Sequence, residues 1–184
     1  MRRRGWSAAL LVLLATGACA DSPGDPPAPP ASAAPSPSAV SPSASLTPAE
    51  IAERDALTAY RGMWEDWVAI AETSDYASLR MARHASGSAL TLAYRAVYTN
   101  WRNGVVSKGT PGLSPHVTAA DPAGRPDRVT VTDCVDTTKW LNYTPDGVLQ
   151  DDVPGGRSSS QALVLFHDGT WKVDQLVIQN KGTC

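Results

Sequence analysis

The fold is decided by the stretch Arg-Val-Thr-Val-Thr-Asp-Cys-Val-Asp at positions 128–136. Apolar and polar side chains alternate along it, which is typical of a β-strand with one buried face. Val129, Val131 and Val135 share one face with Asp133, whereas Cys134 lies on the other. The alternation therefore predicts a strand whose valine face packs against a core.

Further strand-like runs lie on both sides of this stretch, separated by turn signals. The runs are 116–120, 139–143, 161–167 and 171–178. Asp168-Gly169, between the last two, is a strong signal for a two-residue β-hairpin. The C-terminal half is thus predicted to be an antiparallel sheet.

Upstream of Gly104 the hydrophobic period changes from 2 to 3.6 residues, which predicts helices. Thr-Pro-Ala-Glu at 47–50 has the form of a capping box with proline at the first helical position. We expect a first helix over about 48–73, a short second one over 76–84 and a third over 86–103. The third should carry one apolar face, formed by Leu90, Tyr94, Val97 and Trp101.

Helices that precede antiparallel strands predict an α+β domain with the helices packed on one face of the sheet. We place this domain at 47–184. Its element order resembles the nuclear-transport-factor-2-like, cystatin-like cone fold, in which N-terminal helices pack on a curved antiparallel sheet. The stretch 128–136, followed by Trp140 and a terminal Gly-Thr-Cys, is similar to uncharacterised actinobacterial lipoproteins of this fold. The resemblance spans roughly residues 50–184.

The N-terminal region has the features of an export signal. Arginines at 2–4 precede an apolar run at 8–15, which is too short to span a membrane and is typical of a secretory signal peptide over 1–18. Thr-Gly-Ala-Cys at 16–19 resembles the bacterial lipobox. Cys19 is therefore predicted to carry a lipid that anchors the protein on the extracytoplasmic face of the cell membrane. The alternative is ordinary cleavage around Cys19, which releases a soluble, secreted protein.

The segment 19–46 joins the predicted lipid anchor to the domain. It is rich in Pro, Ser and Ala and contains too little apolar surface to fold on its own. We interpret it as a tether, although a proline-rich ligand for a partner or a glycosylated stalk would have the same composition.

Cys134 and Cys184 remain after Cys19 is assigned to lipid or lost with the signal peptide. In an oxidising, exported compartment such a pair is best interpreted as a disulfide.

Several function classes are disfavoured by composition and motifs. With 16 basic and 18 acidic residues the net charge is −2, which gives no support to nucleic-acid binding. His84, His116 and His167 lie too far apart for a local metal motif. There is no Gly-x-Ser-x-Gly or phosphate-binding loop. We expect neither a metal site nor a cofactor.

Asp133 is the best single candidate for catalysis. If the valine face points into the cone, its carboxylate lies in an apolar pocket and is placed for general-base work. The resemblance implies the same, because enzymes of this fold, such as ketosteroid isomerase and polyketide cyclases, carry an acidic residue inside the cone. The alternative is a structural role in which Asp133 binds backbone amides or faces solvent. We expect the structural role.

Five aromatic residues at helical spacing could line a ligand cavity or fill the core: Tyr60, Trp64, Trp67, Tyr94 and Trp101. Two functional hypotheses follow. The first is a membrane-tethered, non-catalytic domain that binds a small hydrophobic ligand or a cell-envelope protein. The second is a cone-fold enzyme, isomerase-like or cyclase-like, that acts on a small hydrophobic substrate. An open interior that carries an acid beside a second polar group would favour the enzyme.

Overall fold

The structure is a computed structural model that describes residues 45–150 and 155–184. The predicted signal peptide, Cys19 and nearly all of the predicted tether lie outside these residues. The described chain runs through α1 (Pro48–Ala71), a 3₁₀ helix (Arg80–Arg83), α2 (Gly87–Arg102), β1 (Val106–Lys108), β2 (His116–Asp121), β3 (Arg128–Asp136), β4 (Leu141–Tyr143), β5 (Arg157–His167) and β6 (Thr170–Ile178).

The larger sheet has four antiparallel strands in the order β2-β3-β5-β6, and β1 pairs with β4 in a separate two-stranded sheet. α1 contacts every strand of the larger sheet, and α2 packs mainly on β6. This arrangement confirms the expected α+β class with N-terminal helices packed on an antiparallel sheet. The β5–β6 hairpin is also confirmed, with Asp168 at φ 50° and Gly169 at φ 78°, as a primed two-residue turn requires.

The start of α1 is the capping box that the sequence predicts. Thr47 Oγ1 accepts from the Glu50 backbone N–H at 3.3 Å, and Glu50 Oε2 accepts from the Thr47 backbone N–H at 2.7 Å. The helix ends at Ala71 rather than 73. Ser74 adopts a φ of 52° and donates its hydroxyl to the Val105 carbonyl at 2.5 Å, so the chain turns towards β1 instead of continuing as helix.

The predicted second helix is mostly wrong, because only Arg80–Arg83 is helical and it is a single 3₁₀ turn. The expected apolar face of α2 is confirmed in part, since Val97 is buried and Leu90 and Tyr94 pack against the core. Its buried residues are Ala89, Ala93 and Val97, whereas Trp101 is 49% exposed. Ala89 and Ala93 lie where α2 packs on β6, and Trp101 lies outside this contact.

The strand predictions differ from the structure mainly in their bounds. β5 begins at Arg157 rather than 161, because Ser158, Ser159 and Ser160 pair with β3. β4 spans only Leu141–Tyr143 rather than 139–143, and β1 was not predicted.

The valine face of β3 points into the core, as the alternation predicts. Val129, Val131, Asp133 and Val135 are all at most 2% exposed. They pack beneath Tyr60, Met63 and Trp64 of α1 and beside apolar residues of β5 and β6.

A disulfide joins Cys134 of β3 to Cys184, with the two Cα atoms 5.9 Å apart. The tail also pairs with β5, since the Gly182 N–H donates to the Arg157 carbonyl at 2.7 Å and Thr183 Oγ1 accepts from the Ser159 N–H at 2.9 Å. The C-terminus is thus held by both covalent and hydrogen bonds.

Candidate functional site

A small polar cluster lies inside the core between α1, β3 and β5. The Tyr60 hydroxyl donates to Asp133 Oδ2 at 3.1 Å, and its oxygen lies 3.1 Å from Ser160 Oγ. The Ser114 backbone N–H donates to Asp133 Oδ1 at 2.7 Å. Because the single proton of the Tyr60 hydroxyl is donated in the hydrogen bond to Asp133, the Ser160 hydroxyl acts as the donor to the Tyr60 oxygen. Each member of the cluster therefore has a partner.

Asp133 combines features of both roles considered for it. It lies within hydrogen-bond reach of a tyrosine, as a catalytic acid or base pair would, and it also accepts from a backbone amide. Tyr60, Asp133 and Ser160 are 0%, 2% and 1% exposed, so the carboxylate is closed off from solvent in this conformation. These contacts join β3 to α1 and to the segment before β2. They therefore favour a structural role for Asp133.

Burial raises the pKa of the Tyr60 hydroxyl far above its usual range. The Ser160 hydrogen bond opposes this shift, and the negative charge of Asp133 adds to it. The buried Trp64 indole N–H has no hydrogen-bond partner among the described residues. Tyr60 stays protonated at physiological pH and acts as a hydrogen-bond donor.

Three tryptophans fill the space beside this cluster. Trp64 and Trp67 stack at a centroid distance of 5.1 Å, and the Trp140 ring meets both edge-on at 6.1 and 5.9 Å. Trp64 is 2% exposed and belongs to the core. A shallow apolar recess of about 210 Å³ lies between Trp64, Val68 and Leu113, which is below the roughly 300 Å³ of a typical small-molecule pocket.

The structure separates the five aromatic residues that the sequence grouped as possible pocket lining. Tyr60, Trp64 and Trp67 lie together in the core. Tyr94 is half-buried, and its hydroxyl donates to the Ser78 carbonyl. Trp101 lies on the surface.

A second polar cluster joins α1 to the 3₁₀ helix, and the sequence analysis did not identify it. The buried Asp66 carboxylate, 1% exposed, accepts from Arg80 Nε at 3.0 Å and from Arg83 Nη2, and it lies 2.7 Å from His84 Nδ1. Burial alone would raise the pKa of Asp66, but the hydrogen bonds from Arg83, His84 and Arg80 outweigh it and hold the pKa below its ordinary value.

Gly62, one turn before Asp66 on α1, makes room for the same contact. A Cβ at this position would lie 2.9 Å from three ring atoms of His84. The glycine therefore lets the imidazole pack directly on the helix backbone, which offsets the usual cost of glycine inside a helix.

We expect Asp66→Asn to lower the free energy of unfolding by about 2–3 kcal/mol at neutral pH, because it removes the charge that holds three donors. Because the pKa of Asp66 is lower in the folded than in the unfolded state, its charge stabilises the fold at neutral pH. This contribution to stability is lost as the pH falls below about 4 and through the folded-state pKa. The gap between wild type and variant in chemical denaturation should therefore shrink in acid.

Asp55→Asn is the matched control for this prediction, because Asp55 is a carboxylate of the same helix that pairs with Arg54 at the surface. It should cost less than about 1 kcal/mol. A gap for Asp66→Asn that is the same at pH 3 and pH 7 would contradict the assigned role.

The surface carries a cluster of three mutually contacting aromatic rings, which we call the aromatic face: Tyr76, Tyr98 and Trp101. Its centroid distances are 5.2 Å for Tyr76–Tyr98, 4.8 Å for Tyr76–Trp101 and 5.6 Å for Tyr98–Trp101. The three residues are 39%, 42% and 49% exposed. Leu79, which lies three positions after Tyr76, is 82% exposed.

Helix α2 and the turn after α1 form the aromatic face together. The Tyr94 hydroxyl donates to the Ser78 carbonyl, which fixes that turn against α2. Tyr98 and Trp101 follow Tyr94 by four and seven positions, so all three lie on one side of α2. Tyr76 and Tyr98 were not predicted from the sequence as site residues. The available signal is that Tyr94, Tyr98 and Trp101 share one side of α2, away from Ala89 and Ala93.

The three histidines do not meet in space. His84 contacts Asp66, His116 is exposed on β2, and His167 lies 2.9 Å from its neighbour Asp168. Within residues 45–150 and 155–184 no three metal-ligating side chains come together. In the same ranges no helix combines the length and apolarity needed to cross a membrane.

Comparisons with known proteins find similarity of fold only. No family model matches the chain, and no curated protein matches it either. The intermembrane-space region of the chloroplast protein ARC6 is similar over 69% of this chain and 98% of its own, at 13% identity and a TM-score of 0.46. A protein of unknown function with a cystatin-like fold, from Nostoc punctiforme, is similar over 73% of this chain and 92% of its own, at 12% identity and a TM-score of 0.38.

Proposed function

We propose that this protein is an exported, membrane-tethered binding domain that acts through its aromatic face and performs no catalysis. The observation that carries the proposal is the contact between three aromatic rings that all remain exposed. Tyrosine and tryptophan bring large contact area at low conformational cost and dominate the energetics of recognition surfaces. A clustered aromatic surface is a feature that an unbound soluble domain rarely keeps without use.

The interior supports a surface role. Tyr60, Trp64 and Asp133 are all at most 2% exposed, and their packing leaves the cone interior filled by side chains. A ligand inside the cone would therefore have to displace the core, whereas binding at the aromatic face requires no such rearrangement.

The extracytoplasmic location is supported by the pairing of Cys134 with Cys184, since disulfides persist in oxidising compartments. Anchoring through Cys19 is part of the proposal and rests on the lipobox-like Thr-Gly-Ala-Cys at 16–19. Mass spectrometry of protein from the membrane fraction should find Cys19 at the mature N-terminus with a diacylglyceryl thioether. A mature chain that begins after Cys19 would contradict anchoring.

The binding role is tested by placing a photo-crosslinking amino acid at position 98 in the full chain and irradiating intact cells. We expect adducts from position 98 because the proposed ligand covers Tyr98. Position 177 is the control, since Val177 is an apolar residue, 54% exposed, on β6 outside the aromatic face. Equal adduct yields at the two positions, or none at either, would contradict a dedicated surface.

The enzyme hypothesis keeps one observation in its favour, the 3.1 Å contact between the Tyr60 hydroxyl and the Asp133 carboxylate. It requires the segment 110–114 to move, because Leu113 closes the recess at Trp64 and Ser114 binds Asp133. A small hydrophobic molecule that stays bound to the purified chain in native mass spectrometry would favour this alternative.

A further inference from the structure

Basic residues predominate in the segment of the chain that carries the aromatic face. From Tyr76 to Ala120 the chain contains five Lys or Arg residues and no Asp or Glu, although its overall net charge is −2. The aromatic face thus lies within a basic region of an otherwise acidic protein.

Two of these arginines flank the aromatic face on α2. Arg95 and Arg102 lie three positions before and four positions after Tyr98, which puts them next to it on the exposed side of the helix. Neither pairs with a carboxylate in the ranges that the structure describes.

The other charges near the face only partly offset these arginines. Arg80 and Arg83 share the single charge of Asp66 and keep side-chain exposures of 48% and 55%. Asp75 directly precedes Tyr76 in the chain. Burial raises the pKa of the Tyr94 hydroxyl, and the nearby negative charge of Asp75 adds to this shift. Glu72 adds a further acidic charge just before the turn that carries Tyr76, but the five basic residues from Tyr76 to Ala120 still outnumber Asp66, Glu72 and Asp75.

Exposed Trp, Tyr and Leu side chains beside unpaired arginines are what a water–lipid interface selects. Tryptophan and tyrosine rings sit at the level of lipid headgroups, a highly exposed leucine can enter the acyl boundary, and basic residues are attracted by anionic headgroups. If the face bound another protein instead, that protein would need a cavity that matches Leu79, which is 82% exposed.

We propose that the aromatic face, together with Leu79, Arg95 and Arg102, docks on the surface of an anionic lipid bilayer. This inference rests on the proposed function, because it names the partner of the same face. The domain would then contact the membrane surface directly, with α2 facing the headgroups.

The test is vesicle co-sedimentation of the full chain carrying Cys19→Ala, so that no attached lipid contributes. Vesicles are made either of phosphatidylcholine alone or of equal parts of phosphatidylcholine and phosphatidylglycerol. Every variant shares this background, and the N-terminal segment therefore contributes equally to each. The difference between variants isolates the contribution of the face.

On anionic vesicles, Arg95→Gln/Arg102→Gln should lower the partition coefficient about 30-fold, which corresponds to ~5-fold for each charge. On neutral vesicles it should change little, and high salt should remove the difference. Tyr98→Ser/Trp101→Ser should lower binding about tenfold or more on anionic vesicles, because it removes the apolar contact area.

Two controls match these variants. Val177→Ser removes an apolar side chain that is 54% exposed on β6, and Arg125→Gln/Lys139→Gln removes the same charge from exposed positions elsewhere. Both should bind as the parent chain does. Circular dichroism of each variant confirms that α2 remains folded.

Equal losses in face and control variants, or no preference for anionic vesicles, would overturn the inference. If the crosslinks from position 98 then lead to a single protein, the face binds a protein, and the proposed function survives without the lipid surface. If position 98 gives no adducts as well, both proposals fall.

Discussion

Trp64→Ala is expected to lower the free energy of unfolding by about 3–5 kcal/mol, as large-to-small changes of buried aromatic residues do. Trp64 is 2% exposed and lies between the stacked Trp67 ring, the edge of Trp140 and the Tyr60 ring, at centroid distances of 5.1, 6.1 and 6.4 Å. Removal of the indole leaves a cavity in the core beside these rings. Urea denaturation followed by circular dichroism measures the effect.

Trp101→Ala is the matched control for Trp64→Ala. It removes the same side chain from a position that is 49% exposed, so it should cost less than about 1 kcal/mol. Trp64→Phe should fall between the two, because it keeps part of the ring packing. A loss below about 1 kcal/mol for Trp64→Ala would place its side chain at the surface or in an open pocket, which would favour ligand binding beside it.

The Cys134→Ser/Cys184→Ser double variant is expected to lose about 4 kcal/mol. The disulfide closes a loop with a sequence separation of 50 residues, and the chain-entropy treatment gives ~4 kcal/mol for a loop of that length. The effect arises in the unfolded state, which regains the freedom of this loop. For a domain of this size we expect the melting temperature to fall by on the order of 10 °C.

Thr183→Ala separates the disulfide from the other contacts that hold the tail. It removes the Thr183 Oγ1 acceptor of the Ser159 N–H and leaves the cysteines paired. Its cost should be about 1 kcal/mol. A double cysteine variant that is no less stable than Thr183→Ala would show that hydrogen bonds to β5 hold the C-terminus without the covalent link.

Sequence patterns predicted an element correctly wherever the interactions that form it lie within one short segment. The alternation at 128–136 fixes both the strand and its buried face, because successive side chains of a strand point to opposite sides. Thr47 and Glu50 fix the start of α1, because both groups of the capping box lie within one turn. Asp168-Gly169 fixes the hairpin, because both residues adopt positive φ with little strain.

The side of each helix that meets the sheet was harder to infer. Aromatic residues at helical spacing can face either the core or solvent, and α2 turned Ala89, Ala93 and Val97 inward because small side chains allow the closest approach to β6. Trp64 and Trp101 therefore have opposite environments, although the two sequence patterns look alike. This rotation of α2 is what creates the aromatic face.

Local patterns were sufficient to predict an α+β domain with one buried valine face and a cysteine pair, since each of those features depends on neighbours in the chain or on composition. The functional groupings depend on long-range packing instead. Tyr60 meets Asp133 across 73 positions, and Asp66 meets the 3₁₀ helix only after the turn at Ser74 brings Arg80 and Arg83 back to α1. Contacts of this kind are set by how helices dock on the sheet, and that geometry is a property of the whole core rather than of any segment.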